Sequence, residues 1–271
     1  MDPGPTPVLP RLKETLSQVG IPMKEIQHVA LTHVHLDHAG ATGHIVREHP
    51  HVEVHLHEDG ASHLAAPERL VASTRRTFLD HHDRLWGEVL PVPADRIRPW
   101  RPGEAGGPWG LRGVHTPGHI GHHLAWLDEQ DGLMFMGDSL GIVLGPETPT
   151  HPPTPPPAVD LRAWFQTLDE IDVIGPERAA VTHFGIHSRV RARTGELRDR
   201  LRSLAHRVEE ALAQGSAEDD AEAFDLESRR LLGETLPRER IDAYLDVFSA
   251  ANDYRGVQRY VERNPGWREG S

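Results

Sequence analysis

The chemistry of this chain is concentrated in one stretch, Thr32-His33-Val34-His35-Leu36-Asp37-His38-Ala39-Gly40. Neutral imidazole is the commonest metal-binding side chain, and here three imidazoles and a carboxylate crowd into a few residues. At the end of an extended strand, side chains at i and i+2 share a face. His33, His35 and Asp37 can therefore converge, with His38 turned toward the same cavity as the chain enters a helix. A single catalytic ion keeps a coordination position open and would not use all four. Two metal ions would use them without waste, whereas a loop of merely solvated histidines leaves the spacing unexplained.

Three further residues close predicted strands or sit in tight turns after them. His119 lies in His115-Thr116-Pro117-Gly118-His119, where Pro117 and Gly118 set a sharp turn. Asp138 ends the apolar run 133–137, and His183 ends the run 179–182. Singly, each is an ordinary cap or turn residue. Together with the first segment they make four ligand sets at strand ends, along one edge of a sheet. Asp138 can offer one oxygen to each of two ions. Two divalent cations outweigh two carboxylates and a hydroxide, so such a site keeps a positive charge suited to stabilising an oxyanion. His115, His122 and His123 flank the third motif; they could orient ligands, or be ordinary histidines of the strand that follows.

These motifs resemble those of the metallo-β-lactamase-fold hydrolase superfamily, in its glyoxalase II-like branch rather than among the cysteine-containing antibiotic-degrading enzymes. The HxHxDH signature is complete as His33, His35, Asp37 and His38, and the later single-residue motifs match His119, Asp138 and His183. The resemblance runs from Asp2 to about His187 and implies an αββα sandwich. It implies one metal on His33, His35, His119 and Asp138, and a second on Asp37, His38, Asp138 and His183. A hydroxide between them attacks a carbonyl or phosphoryl centre, and Asp37 doubles as a proton shuttle. Zinc is the leading choice of ion, with iron or manganese also suited to such ligands. The chain departs from the family in two ways. The acidic turn Asp2-Pro3-Gly4-Pro5 stands at the very start, so the opening strands are expected to be missing. No tyrosine precedes Tyr244, which removes the tyrosine of the homoserine-lactone lactonases, and the glutathione-binding pattern of glyoxalase II is not evident.

Composition narrows the field. The 271 residues contain 20 histidines, no cysteine and a net charge of −12. Absence of cysteine excludes disulfides, thiolate zinc sites, iron–sulfur clusters and cysteine nucleophiles. Positive charge is carried almost wholly by arginine, since Lys13 and Lys24 are the only lysines. An acidic balance disfavours nucleic acid as a partner. The arginine run from Arg189 to Arg207 is expected to pair with carboxylates on a solvated helix. No apolar stretch approaches the ~20 residues of a membrane span, and no leader is visible, so a cytoplasmic protein without a membrane partner is expected.

The elements that must position the ligands follow from periodicity. Helices are expected over 9–19, 41–48, 59–66, 68–85 and, capped by Asp160, to about 172. Strands are expected over 26–32, 51–56, 111–115, 122–128, 133–137 and 179–182. Residues 91–110 read as loops, and the proline-rich stretch 145–159 as a flap or crossover. From Val190 the chain reads as helical. The expected organisation is a catalytic α/β body over 1–189 and a helical extension over 190–271. The leading function is hydrolysis of a small ester, thioester or lactone substrate. The alternatives are a phosphodiesterase or ribonuclease of the same fold, and an inactive metal-binding protein. A free edge beside the strand 26–32 could be covered by a homodimer contact.

Overall fold

The computed structural model describes residues 1–102, 104, 110–145, 148–183 and 185–267. It divides into two compact units, one of residues 1–108 and 113–115 and the other of residues 109–112 and 116–271.

The first unit is built on a three-stranded parallel sheet, ordered β1 (His28–Ala30), β2 (Glu53–His57), β3 (Ile97–Trp100). Parallel strands need long crossovers. Helices α2 (Leu36–Ala39) and α3 (Thr42–Glu48) fill the first. Helices α4 (Glu58–Ala65), α5 (Glu68–Phe78) and α6 (His82–Trp86) fill the second, and α1 (Leu9–Gln18) precedes the sheet. Val29, Leu31, Val54 and Leu56 supply the sheet's apolar side chains to a core shared with Leu9, Ile45, Val46, Leu64 and Ile97.

Several expectations need correction. The strand expected over 26–32 is confined to 28–30, and Asp37 stands on α2 rather than in extended chain. The helix expected over 68–85 breaks at Leu79, whose φ of 44° no α-helix accommodates. Strand β3 lies in the stretch expected to be loop. Its Pro99 lacks an N–H, which an edge strand of the sheet tolerates.

β1 is an edge strand, and no further strand pairs outside it among the described residues. Its rim is not bare. Leu31 N–H donates to His55 on β2, whereas the Asp2 N–H donates to the Ala30 carbonyl and the Asp2 carboxylate accepts from Thr32 N–H. Since backbone groups alternate sides along a strand, the acidic turn occupies the side facing away from β2.

The second unit carries a sheet ordered β4 (Leu111–His115), β5 (Leu124–Asp128), β6 (Leu133–Gly137), β7 (Arg178–Val181), β8 (Ile186–His187); β4 divides between the units. β5 and β6 form a hairpin whose turn is closed by Asp128, which accepts from the N–H groups of Gln130 and Asp131. β6 and β7 are parallel and joined through α7 (Leu161–Ile174). The Asp160 side chain caps α7 by accepting from Ala163 N–H, and Gly175 ends it in the left-handed conformation. Trp126, Met134, Met136, Trp164 and Leu168 are fully buried in this unit. Helices α8 (Val190–Gln214), α9 (Ala217–Leu232), α10 (Arg238–Leu245) and α11 (Ala250–Arg263) complete it.

Candidate metal centre

In open α/β sheets, ligands bind beyond the carboxyl ends of parallel strands, and the first unit places its chemistry there. Past Ala30 the chain runs extended through His33 and His35 and then turns into α2, which carries Asp37 and His38. His33 and His38 are buried, while His35 and Asp37 are partly open. His33 Nε2 lies 2.9 Å from His35 Nδ1, and the His33 and His38 rings stand 4.1 Å apart. Asp37 Oδ2 is 3.4 Å from His38 Nε2. The four expected ligands of this segment are thus brought together.

What holds them was legible only in part. Thr32 Oγ1 donates to Asp2 Oδ2 at 2.9 Å, which leaves its lone pair for the His33 Nδ1–H at 3.0 Å. The tautomer that follows leaves His33 Nε2 as an acceptor. Asp2 Oδ2 also faces His38 Nδ1 at 3.0 Å, which directs His38 Nε2 toward Asp37. Burial on its own would raise the Asp2 carboxyl. The hydrogen bond and charge of His38, with the Thr32 N–H, outweigh it and hold Asp2 below the ordinary carboxylate range. The contacts of Asp2 with Thr32 and His38 were not revealed by spacing alone; its acidic turn was the visible signal.

The second unit assembles the other three. His119 follows Gly118, Asp138 follows the last residue of β6, and His183 lies just beyond β7. Asp138 sits between two imidazoles, with Oδ2 3.5 Å from His119 Nε2 and Oδ1 3.7 Å from His183 Nε2. The Asp138 N–H donates to His123 Nε2, whose Nδ1 lies 2.7 Å from Thr116 Oγ1. His119 Nδ1 donates to the Pro153 carbonyl at 2.8 Å, so in the neutral ring the lone pair lies on Nε2.

These spacings test whether a metal fits. Charge-assisted N–H···O bonds run about 2.7–2.9 Å, and both Asp138 contacts are longer. Ligand bonds of about 2.0–2.1 Å in a tetrahedron put neighbouring donor atoms about 3.3 Å apart. The Asp138–His119, Asp138–His183 and Asp37–His38 spacings of 3.5, 3.7 and 3.4 Å lie close to that edge length. Asp138 turns one carboxylate oxygen toward each of the two histidines. Imidazole nitrogens and carboxylate oxygens are the donors that zinc, iron and manganese accept.

Two other histidine groups lie in the first unit. At the end of β2, His57 accepts the Asp59 N–H and so caps α4, and its ring lies 4.8 Å from that of His115. Burial and the neighbouring His115 lower its pKa. His28, Glu53 and His55 also cluster on β1 and β2, with His28 Nδ1 3.2 Å from His55 Nε2. There Arg98 holds Glu53, and Trp100 donates to His55 Nδ1, so the group is tied into a hydrogen-bonded network.

Residues 1–183 match the family model for the metallo-beta-lactamase superfamily. Among solved structures, the chain is similar to a metallo-beta-lactamase family protein from Thermus thermophilus (TM-score 0.63, 23% identity, covering 96% of this chain and 82% of that one). It is also similar to a protein solved in a di-iron-bound form (TM-score 0.50, 27% identity, 73% of this chain and 85% of that one). Among curated proteins, it is 29% identical over 129 residues to an atrochrysone carboxyl ACP thioesterase from Pseudocercospora fijiensis, covering 48% of this chain and 29% of the relative. The chain spans less than half the length of the first two curated relatives it matches, 29% and 46%. Two sheets with their helices, followed by a helical region, are the alpha/beta arrangement of that fold. From its complete HxHxDH segment to the strand-end His183, the chain belongs to the metallo-beta-lactamase superfamily.

Proposed function

We propose that the chain is a dinuclear metal-dependent hydrolase of the glyoxalase II-like branch, acting on a small ester, thioester or lactone. The observation that carries this reading is Asp138, which turns one oxygen to His119 and the other to His183 at 3.5 and 3.7 Å. In this reading His33, His35, His119 and Asp138 hold one ion. Asp37, His38 Nε2, Asp138 and His183 Nε2 hold the other. When bound, two divalent ions polarise a substrate carbonyl and lower the pKa of water toward about 7, so no Ser or Cys nucleophile is needed. The chain's own work is orientation and proton handling. Thr32 and Asp2 keep the His33 and His38 rings in the tautomers that ligation needs. Asp37, which is partly open, can take a proton and pass it to the leaving group. The body 1–189 carries this chemistry, and the extension 190–271 supports it.

Thioesters are favoured within the substrate class by the curated relatives named as acyl carrier protein thioesterases. The test is elemental analysis of protein purified without chelator, followed by a panel of ester, thioester, lactone and phosphodiester substrates. We expect two ions per chain and carbonyl-centred hydrolysis, both lost together on chelation. One ion at full activity would overturn the dinuclear reading. Turnover of phosphodiesters alone would overturn the substrate class.

A further inference from the structure

The peptide joining Pro153 to Thr154 is hydrogen-bonded at both ends. Its carbonyl accepts the His119 Nδ1–H at 2.8 Å, and its N–H donates to Asp253 Oδ1 at 2.7 Å. Asp253 lies in the first turn of α11, within the helical extension. Its other oxygen is 2.7 Å from His151 Nε2, and its backbone carbonyl accepts from Thr154 Oγ1 at 2.9 Å. His119, His151, Thr154 and Asp253 are all buried. The contact between α11 and this segment is also close along the backbone. A Cβ on Gly256 would lie 1.7 Å from the Thr154 carbonyl oxygen, so only glycine fits there.

A trans peptide is planar, and its C=O and N–H point in opposite directions. Fixing the N–H of Thr154 therefore fixes the direction of the Pro153 carbonyl. A carboxylate accepting the N–H also polarises the peptide and makes its carbonyl a better acceptor. That carbonyl can only accept, so it demands a proton on His119 Nδ1 and leaves Nε2 with its lone pair.

The geometry points to Asp253 as a positioning residue: through the 153–154 peptide, the helical extension sets the tautomer and aim of His119. The consequence for metal binding rests on the proposed reading of His119 as a ligand. A group hydrogen-bonded directly to a ligating histidine typically contributes about 10–100-fold to metal affinity; here that group is the Pro153 carbonyl, and Asp253 acts on it from one hydrogen bond further out.

The experiment uses the full chain as wild type, Asp253→Asn, Asp253→Ala and His119→Ala. Long-range ¹H–¹⁵N correlation of the metal-free proteins reads the tautomer of His119, and titration with cobalt(II), followed by its visible absorption, reads affinity. Wild type should show a single Nδ1–H form. Asp253→Ala should mix the tautomers and weaken cobalt binding by up to about 10-fold, the lower end of the range for a direct partner, because the Pro153 carbonyl is kept. Asp253→Asn, which keeps an acceptor oxygen but loses the charge, should fall between them, and it decides the matter if the alanine variant does not fold. A wild-type tautomer in the Asp253 variants would overturn the inference. So would unchanged cobalt affinity in those variants where His119→Ala loses it. Unchanged affinity in His119→Ala itself would instead overturn the ligand reading, while the tautomer measurement still decides the role of Asp253.

Discussion

Asp37 and Asp138 are both carboxylates of the candidate centre, yet their surroundings assign them different work. Asp138 is buried and flanked by one imidazole on each oxygen, whereas Asp37 is partly open, with Oδ2 3.4 Å from His38 Nε2. In the proposed mechanism Asp37, the more exposed of the two, is the one that carries a proton. Asp37→Asn is therefore expected to slow turnover of a substrate with a poor leaving group far more than that of an activated one. The difference should be roughly the 10²–10⁴-fold typical of general acid–base groups. Metal content measured alongside separates loss of the ion from loss of the proton. Equal losses on both substrates at unchanged metal content would reduce Asp37 to a ligand.

At this scale the sequence was most informative about ligands and least about what orients them. His33, His35, Asp37 and His38 are adjacent in the chain, so spacing exposes them. Asp2 and Pro153 act on His38 and His119 from 36 and 34 residues away. One of those contacts uses a backbone carbonyl, which has no side-chain signature at all.

Elements are held to their places by a few steric and electrostatic conditions. The turn before His119 requires Gly118 at a φ of 146°, where an added Cβ would lie 2.4 Å from the Trp164 side chain. Trp164 is fully buried and donates its indole N–H to the Ser139 carbonyl, so it cannot yield readily. Gly118→Ala should cost about 1–3 kcal/mol from overpacking, plus backbone strain, read as a lower urea midpoint. An unchanged midpoint would show that α7 can shift to make room.

The edge and centre of the three-stranded sheet titrate in a predictable sense. Burial, reinforced by His28, lowers the His55 pKa to about 4, and those of His28 and His57 are lowered as well. As pH falls below about 6.5 the unfolded chain takes up these protons before the folded one. Stability is then lost progressively down to about pH 4 and levels off below it for this residue. Urea midpoints between pH 7 and pH 4 should fall less steeply in His55→Gln than in wild type, and identical slopes would remove His55 as a source of the effect. The strands most visible in the sequence were those with apolar alternation or runs, such as β6. β3 was hidden because a proline inside a short run argues against a strand unless that strand lies at an edge.

At the scale of the molecule, several arginines of the helical region are paired with carboxylates. Arg193 meets Glu196, Arg198 meets Asp169, Arg202 meets Asp199, and Arg207 is shared by Asp220 and Glu227. The expectation that the arginine run on α8 pairs with carboxylates is met at these positions. The chain as a whole carries a net charge of −12, and the expectation that it does not bind nucleic acid can be tested directly. Fluorescence anisotropy with single-stranded RNA between about 50 and 200 mM salt should show negligible affinity, and tight binding with a steep salt slope would revive the nuclease alternative. Among the described residues, no helix is long and apolar enough to cross a membrane.

The close approach of Gly256 to the Thr154 carbonyl has a consequence for recombination between relatives. A chimaera that takes residues 148–159 from one parent and α11 from another would place an arbitrary side chain against that carbonyl. It would also separate Thr154 from the carboxylate of Asp253. These two stretches lie about a hundred residues apart in the chain but should be inherited as one block. Crossover points that respect this would fall before residue 148 or after α11, and shuffled libraries built on any boundary between them should be depleted of folded members.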